Sequence, residues 1–249
     1  MELRNRVALV TGGSMGIGAA IAIDLAKQGA QIAICARHLE GEAQKTKAEI
    51  ELHGSKCLTI RADMSNADDC VAVVENAAGY FGRLDIVVNN AGGPSHGRLE
   101  DVTAEQWLTT MNLHVNSNFY IAKAALPHLR KQTEGAFITV ASSAAIRGIQ
   151  GAIAYATAKG AIPQFTRCLA REWADFNIRV NCIAPGIIRT RFHHDMPEDR
   201  KKNNLDNRIP LHREGTIEQV AEAVRLLITN DYITGETLVI DGGLTSRIA

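Results

Sequence analysis

The sequence predicts an α/β fold with a doubly wound parallel sheet, and three observations support this prediction. Short apolar runs alternate with longer amphipathic stretches along all 249 residues. The runs are apolar almost throughout, as in strands that are buried on both faces. A glycine-rich turn joins the first run to the first amphipathic stretch. The β-α-β order places helices on both faces of one sheet, so we expect a single domain over residues 1–249 with ligands at the carboxyl ends of the strands.

The individual elements follow from the period of the apolar residues and from helix-capping residues. Strands are expected at residues 6–10, 31–36, 56–60, 84–88, 135–140, 178–183 and 236–240. Helices are expected at residues 17–28, 39–52, 66–80, 103–130, 155–175 and 217–229. Asn66 and Thr103 are typical N-caps, and Gln106 forms a capping box with Thr103. Residues 186–215 form one long irregular stretch, so we expect a substrate lid around residues 187–215.

Charge and composition argue against several classes of protein. Lys plus Arg and Asp plus Glu number 27 each, so the formal net charge is zero and global attraction to nucleic acid or a membrane surface is not expected. No apolar run is long enough for a transmembrane helix, and the amino-terminal run is too short for a secretory signal. We therefore expect a cytoplasmic protein that binds neither nucleic acid nor membrane.

The cysteine and histidine patterns do not indicate a metal site. The five cysteines are scattered and never spaced as CxxC, so small buried thiols in a reducing compartment are expected. His193, His194 and Asp195 are potential metal ligands, but no residue downstream completes a set of ligands. A solvated loop is the favoured interpretation, and no metal is expected.

The turn at residues 11–18 has the sequence Thr-Gly-Gly-Ser-Met-Gly-Ile-Gly. Glycines allow a sharp turn and a close approach of backbone to ligand, and the following helix presents its first N–H groups there. This GxxxGxG spacing is related to the dinucleotide-binding fingerprint and predicts a site for a pyrophosphate. A plain tight turn is the alternative for this segment taken alone.

Three further segments lie at successive predicted strand ends. The second strand ends with Ala36 and Arg37, where an NAD-binding protein would place an acidic residue. A guanidinium there can pair with a 2′-phosphate, so NADP(H) is predicted, with NAD(H) and a solvated Arg37 as the alternatives. Asp63 follows the third strand and is a candidate acceptor for an adenine amino group. The small residues Ala91 and Gly92 follow the fourth strand, where backbone can lie against a cofactor.

Tyr155 and Lys159 are four residues apart on a predicted helix and therefore share one face. A nearby ammonium favours the phenolate, so we expect Lys159 to lower the pKa of Tyr155 from its usual value of about 10. Such a phenol can exchange a proton with a carbonyl or alcohol oxygen. Ser142 ends the fifth strand and is expected to hold the substrate oxygen, with Ser143 as the competing residue. The Tyr and Lys spacing alone also occurs by chance on surface helices.

With these motifs together, the sequence resembles the short-chain dehydrogenase/reductase family in its single-domain form, close to 3-oxoacyl-carrier-protein reductases and related carbonyl reductases. The similarity covers nearly the whole chain and includes TGGSMGIG, Asp63, NNAG, Ser142, YATAK, NCIAPG and ITGETLVIDGG. It implies a Rossmann fold with a seven-stranded parallel sheet and usually a homotetramer. It also implies that Tyr155 is the general acid–base, that Lys159 binds the nicotinamide ribose, and that Ser142 orients the substrate.

The resemblance also extends the set of residues expected at the cofactor, including Asn90 at the adenosine ribose and Thr190 near the carboxamide. The expected cofactor-binding residues are Gly12, Ser14, Met15, Gly16, Ile17, Gly18, Arg37, Asp63, Met64, Asn90, Ala91, Gly92, Tyr155, Lys159, Pro185, Gly186, Ile188 and Thr190.

One position departs from the family pattern. The family often has a catalytic asparagine seven residues past a tryptophan, and counting from Trp107 gives His114. A histidine with a pKa of about 6.5 suits a proton relay, so we include His114 among the candidate catalytic residues. The alternative is a core histidine bonded to a main-chain carbonyl. Asn112 and Asn116 flank it and are expected to face elsewhere.

The sequence therefore predicts an oxidoreductase that transfers a hydride between NADP(H) and a small-molecule carbonyl or secondary alcohol. The alternative is a cofactor-binding regulator of the same fold that no longer turns over. A sugar-nucleotide epimerase is disfavoured because it needs a larger carboxyl-terminal domain. The substrate is not readable from the sequence, although the basic residues of the 187–215 segment would suit an anionic substrate as well as a solvated surface.

Overall fold

Seven strands form one parallel sheet at the centre of the molecule, in a computed structural model that describes residues 1–190 and 196–246. In chain order they are β1 (Val7–Thr11), β2 (Gln31–Ala36), β3 (Cys57–Arg61), β4 (Ile86–Asn89), β5 (Gly135–Val140), β6 (Ile178–Pro185) and β7 (Thr237–Ile240). Their spatial order is β3-β2-β1-β4-β5-β6-β7, so the winding direction reverses between β1 and β4. The predicted Rossmann fold is confirmed, and its crevice is expected at this reversal.

Helices cover both faces of the sheet. They are α1 (Gly16–Lys27), α2 (Glu42–Leu52), α3 (Ala67–Phe81), α4 (Ala104–Met111), α5 (Ser117–Leu129), α6 (Ile153–Trp173), α7 (Glu198–Asn203) and α8 (Ile217–Thr229). Ile21 of α1 and Val224 of α8 pack in one core on one side of the sheet. Val73 of α3, Ile121 of α5 and Trp173 of α6 belong to a second core on the other side. Strands β1 to β6 are rich in apolar residues because each of them contributes to both cores, whereas β7 contributes only to the first.

The helix starts agree with the capping residues that the sequence contains. The Asn66 side chain accepts a hydrogen bond from the Asp69 N–H at 3.1 Å. Thr103 and Gln106 form the predicted capping box at the start of α4. Each of these side chains satisfies an N–H group that the first helical turn leaves without a main-chain partner.

The helix predicted over residues 103–130 is wrong in one respect, because a π-helical turn at Asn112–Asn116 separates α4 from α5. One extra residue in the turn breaks the regular ladder of hydrogen bonds. Two side chains of α5 bind carbonyls of this turn: Ser117 Oγ donates to Leu113 O at 2.7 Å, and Asn118 Nδ2 donates to His114 O at 2.8 Å. These contacts stabilise the break, and periodicity alone does not reveal them.

The sequence predicted an irregular segment over residues 187–215, but part of this segment is helical. It contains α7 and a π-helical turn at Asn204–Arg208. His193, His194 and Asp195 lie outside the described residues. Its role as a lid stays a prediction.

A buried carboxylate lies at the amino ends of the strands, on the side opposite the predicted crevice. Asp85 precedes β4 and is 0% exposed. It accepts hydrogen bonds from Arg83 Nη2 at 2.6 Å, from Arg6 Nη1 at 3.0 Å and from the Val7 N–H at 2.9 Å. The charge is therefore paired and hydrogen-bonded, which is the condition under which a buried carboxylate is tolerated.

Four of the cysteines are buried as expected, whereas Cys168 is exposed on the outer side of α6. Within residues 1–190 and 196–246, no cluster of three or more His, Cys, Asp or Glu residues could hold a metal ion. None of the helices in the same ranges is long and apolar enough to cross a bilayer.

Candidate active site

The glycine turn between β1 and α1 has the geometry of an anion cradle. Gly12 and Gly16 have φ values of +62° and +58°, which favour glycine. A Cβ on Gly18 would lie 2.2 Å from the Gly12 carbonyl oxygen, so the turn could not close with a larger residue. The N-cap, Met15, makes no side-chain capping bond to α1. The first N–H groups of the helix therefore fit a pyrophosphate, which would satisfy them.

A threonine joins this turn to the end of β4. Thr11 Oγ1 donates to Asn89 Oδ1 at 2.8 Å and accepts from the N–H groups of Asn90 and Ala91 at 3.0 and 2.9 Å. Asn90 Nδ2 donates to the Thr11 carbonyl at 3.0 Å. These bonds hold the two strand ends side by side at the point where the winding of the sheet reverses.

Arg37, Asp63 and Met64, which the sequence predicts at the adenosine end of a cofactor, follow the ends of β2 and β3. Asp63 Oδ1 accepts from the N–H and hydroxyl of Ser65 at 2.9 and 2.8 Å. These bonds, with a smaller contribution from the nearby Arg37 charge, lower the pKa of Asp63, and burial opposes them only in part. Arg37 is exposed, whereas the Met64 side chain is buried with its sulfur 3.9 Å from Cys35 Sγ. A contact from Met64 to a nucleotide would therefore use its main chain.

The end of β6 lies across the crevice from the glycine turn. The Thr190 methyl carbon is 3.7 Å from the position of a Cβ on Gly16. Ile188 is buried, and the Gly215 N–H donates to the Ile187 carbonyl at 3.0 Å. Pro185 pairs with Ile240 at the end of the sheet, so the 185–190 segment is held on both sides. Of the four residues predicted here, Thr190 approaches the glycine turn, Ile188 packs in the first core, and Pro185 and Gly186 lie beside β7.

Ser142 and Tyr155 meet at the carboxyl end of the sheet. Ser142 follows β5, and its Oγ accepts from the Ala144 N–H at 3.2 Å in a short 3₁₀ turn. Tyr155 lies in the first turn of α6, and its side chain is hydrogen-bonded to that of Ser142. Ser142, rather than Ser143, therefore faces the phenol.

Lys159 lies one helical turn beyond Tyr155 and is 4% exposed. Its Nζ donates to the Val140 carbonyl at 2.7 Å and lies 5.8 Å from the centroid of the Tyr155 ring. Burial lowers the pKa of Lys159 to about 8. The prediction that Lys159 lowers the pKa of Tyr155 is wrong for the protein without cofactor. Burial raises the pKa of Tyr155, and the hydrogen bond from Ser142 offsets this only in part.

His114 lies in the π-helical turn and is 3% exposed. Its Nε2 donates to the Gly93 carbonyl at 3.0 Å, so the neutral ring has its lone pair on Nδ1. The ring packs edge-on against Tyr155 with centroids 5.4 Å apart. The expectation that His114 titrates near neutrality is wrong, because burial and the Lys159 charge lower its pKa to about 3.

Two buried acceptor atoms beside this turn have no hydrogen-bond partner within the described part of the chain. They are Nδ1 of His114 and Oδ1 of Asn118. Asn118 was not among the predicted site residues, although it lies one helical turn after His114 and its spacing places it on the same buried face. Asn112 and Asn116 do face elsewhere, since they bond to each other at 2.7 Å on the exposed side.

Comparisons with known proteins agree with this geometry. A family model described as Enoyl-(Acyl carrier protein) reductase matches residues 12–245. The rabbit dehydrogenase/reductase SDR family member 4 is 36% identical over 99% of this chain and 96% of its own length. The 3-oxoacyl-[acyl-carrier-protein] reductase of Chlamydia trachomatis is 36% identical over 97% of this chain and 98% of its own.

Solved structures give the same result. The L-sorbose reductase of Gluconobacter frateurii, complexed with NADPH and L-sorbose, is 31% identical and superposes with a TM-score of 0.91 over the full length of both chains. The fold and the matches together define an oxidoreductase built on a nucleotide-binding α/β sheet. This chain belongs to the short-chain dehydrogenase/reductase family.

Proposed function

We propose that this protein is an NADP(H)-dependent oxidoreductase that interconverts a carbonyl and a secondary alcohol on a small molecule. The observation that carries the proposal is the hydrogen-bonded Ser142 and Tyr155 pair, with the buried Lys159 one turn away. A catalytically silent regulator would not need a buried ammonium beside a buried phenol, because both cost desolvation free energy.

The described residues fit a nicotinamide dinucleotide. The N–H groups at the start of α1 would hold the pyrophosphate, Asp63 the adenine, and the 185–190 segment the nicotinamide end. Lys159 would exchange its bond to the Val140 carbonyl for the nicotinamide ribose. When bound, the nicotinamide supplies or accepts the hydride, and the protein supplies placement and electrostatics.

Tyr155 acts on the substrate oxygen. Because burial raises its pKa, the phenol is protonated near neutral pH and is a proton donor for carbonyl reduction. Its O–H bond breaks as the new substrate O–H bond forms, and the proton returns along the same path in alcohol oxidation. Ser142 donates a hydrogen bond to the substrate oxygen, while the Lys159 ammonium stabilises the phenolate that remains.

His114 acts as a neutral hydrogen-bonding group in this proposal. Its Nδ1 lone pair and Asn118 Oδ1 are two buried acceptors that a water molecule could satisfy. Such a water would connect the Lys159 region to the π-helical turn and return a proton to Tyr155. The hydrogen bond from His114 to the Gly93 carbonyl, as expected for a core histidine, fixes the tautomer that this role requires.

The preference for NADP(H) rests on Arg37 and on the small Ala36 beside it. A guanidinium at this position would pair with the 2′-phosphate, and the NADPH bound by the sorbose reductase supports the choice. An Arg37→Ala variant should lose about tenfold to a hundredfold in NADPH affinity, with NADH affinity unchanged. Arg171→Ala, at the far end of α6, is the matched control. Equal weakening of both cofactors would contradict the assignment.

The homotetramer, the single domain and the cytoplasmic location stay predictions.

The central test is Tyr155→Phe, measured by nicotinamide absorbance with a panel of ketones and sugars. Removal of the hydroxyl should lower turnover by at least about a thousandfold, within the range of general acid catalysis. NADPH affinity, measured by fluorescence, should change little because the ring remains. Turnover retained in this variant would remove Tyr155 from the mechanism.

A further inference from the structure

A cavity of about 350 Å³ lies between the turn that follows Ser142 and the π-helical turn at Asn204–Arg208. Its walls include Ser143, Ile149 and Leu244, together with the two arginines Arg147 and Arg208. Within the described ranges, no Asp or Glu contributes to its lining. The cavity therefore combines an apolar wall with an excess of positive charge.

Both arginines are held in place through neutral groups. Arg147 Nε donates to the Thr245 carbonyl at 2.8 Å, and Arg208 Nη1 donates to Asn204 Oδ1 at 2.7 Å. Neither forms an ion pair in the described part of the chain, whereas Arg6 and Arg225 do. Each guanidinium has five N–H donors, so each retains donors for a ligand after the one anchoring bond that the described residues supply.

The cavity adjoins the proposed catalytic residues through the chain itself. The Arg147 N–H donates to the Ser143 carbonyl at 3.1 Å, which is a single helical turn of about 5 Å. Ser143 is the residue next to Ser142. On its other side the cavity shares Gly148 and Ile149 with a neighbouring cavity that includes Ala156, the residue after Tyr155.

We propose that this cavity binds a carboxylate of the substrate, so that the protein acts on oxo acids and the corresponding hydroxy acids. The inference rests on the proposed function, since it places the reacting carbonyl at Ser142 and Tyr155. The carboxylate lies between Arg147 and Arg208, because a guanidinium matches a carboxylate in planar, bidentate geometry. Ile149 and Leu244 contact the methylene groups between the two ends.

The test compares a series of oxo acids of increasing chain length with their methyl esters, which are matched in size and lack the charge. The wild-type protein loaded with NADPH should prefer one of the acids over its ester by about tenfold to a hundredfold in kcat/KM, as expected for hydrogen bonds to a charged group. Arg147→Gln and Arg208→Gln should each reduce kcat/KM far more for the acid than for the ester. Arg167→Gln, an exposed arginine of α6 that binds Gln164, should change neither value.

A binding measurement separates this proposal from the proposed function. The saturated acids and esters, which cannot be reduced, are titrated into the NADPH-loaded protein by calorimetry. Acid binding that weakens in both arginine variants supports the cavity, even if no compound is turned over, in which case the proposed function fails alone. Equal binding of acid and ester, or equal losses for both in the variants, would overturn the carboxylate assignment while ketone turnover would stand.

Discussion

Buried polar groups are hydrogen-bonded completely at the amino ends of the strands and incompletely at the carboxyl ends. At the amino ends of the strands, Asp85 is 0% exposed and is bound by two arginines and a main-chain N–H. At the carboxyl ends, Lys159 and His114 are almost as buried, yet Lys159 has one main-chain partner and His114 Nδ1 has none among the described residues. A satisfied charge stabilises the fold, whereas incompletely satisfied groups retain capacity for a ligand.

Among the variants that compare the two ends of the sheet, Lys159→Met should have the largest effect. Loss of the ammonium should lower the rate of carbonyl reduction by about 10² to 10⁴-fold, because the phenolate left by Tyr155 is no longer stabilised. The melting temperature should stay the same or rise, since burial of an ammonium costs free energy. The control is Lys123→Met, an exposed residue of α5. A large fall in melting temperature would show that Lys159 serves stability as Asp85 does.

At the amino ends of the strands we expect the reverse, a loss of stability without a loss of turnover. Asp85→Asn removes the carboxylate of Arg83 and leaves Arg6 with Glu134 alone, which should cost about 3 kcal/mol and lower the melting temperature by about 10 °C. Turnover per folded molecule should not change. Asp24→Asn, which breaks the surface pair with Arg225, should cost about 1 kcal/mol or less and serves as the control. Loss of turnover in a folded Asp85→Asn protein would contradict the division between the two ends of the sheet.

The pH dependence of reduction sharpens the comparison. Because burial lowers the pKa of Lys159 to about 8, the charged form is lost as pH rises through this value, and the rate should fall by about tenfold per pH unit above it. The pKa of Tyr155 is raised, so the phenol stays protonated over this range. With the pKa of His114 lowered to about 3, the rate should be flat between pH 5 and 7. A step near pH 6.5 would restore histidine as a titrating relay.

The smallest expected effect is that of Asn118→Leu. The side chain binds the His114 carbonyl at 2.8 Å, and its loss should lower kcat by about fivefold, the value of one hydrogen bond. KM and NADPH affinity should be unaffected, because Asn118 contacts neither substrate nor cofactor in the proposed mechanism. Asn112→Ala in the same turn is the control, because Asn112 is exposed. An unchanged kcat would remove the π-helical turn from the mechanism.

The sequence was sufficient for the parts of the molecule that depend on neighbours along the chain. The apolar runs, the Asn66 cap and the Thr103 capping box are local patterns, and the glycine turn is required by the backbone of the turn itself. The order of the strands then brought Thr11 beside Asn90, as the alternation of strands and helices predicts.

The electrostatics of the site could not be predicted in the same way. The sequence places Lys159 next to Tyr155 and indicates a lowered pKa, but burial by distant segments outweighs that effect. The predicted pKa of His114 is wrong for the same reason, since desolvation depends on packing that no short sequence pattern reports. The π-helical turn depends on Ser117 and Asn118 side chains that bind carbonyls within one turn, and an apolar period does not report such bonds.

The contact between Gly92 and His114 has a consequence for how this site can evolve. A methyl group at position 92 would come within 2.8 Å of the imidazole Cε1, too close for both to remain in place. Substitution at either position therefore constrains the other, and relatives with a bulkier residue at 92 should have a smaller or displaced side chain at 114. Pairwise covariation of these two columns across the family, or its absence, would reveal whether this steric coupling has governed their divergence.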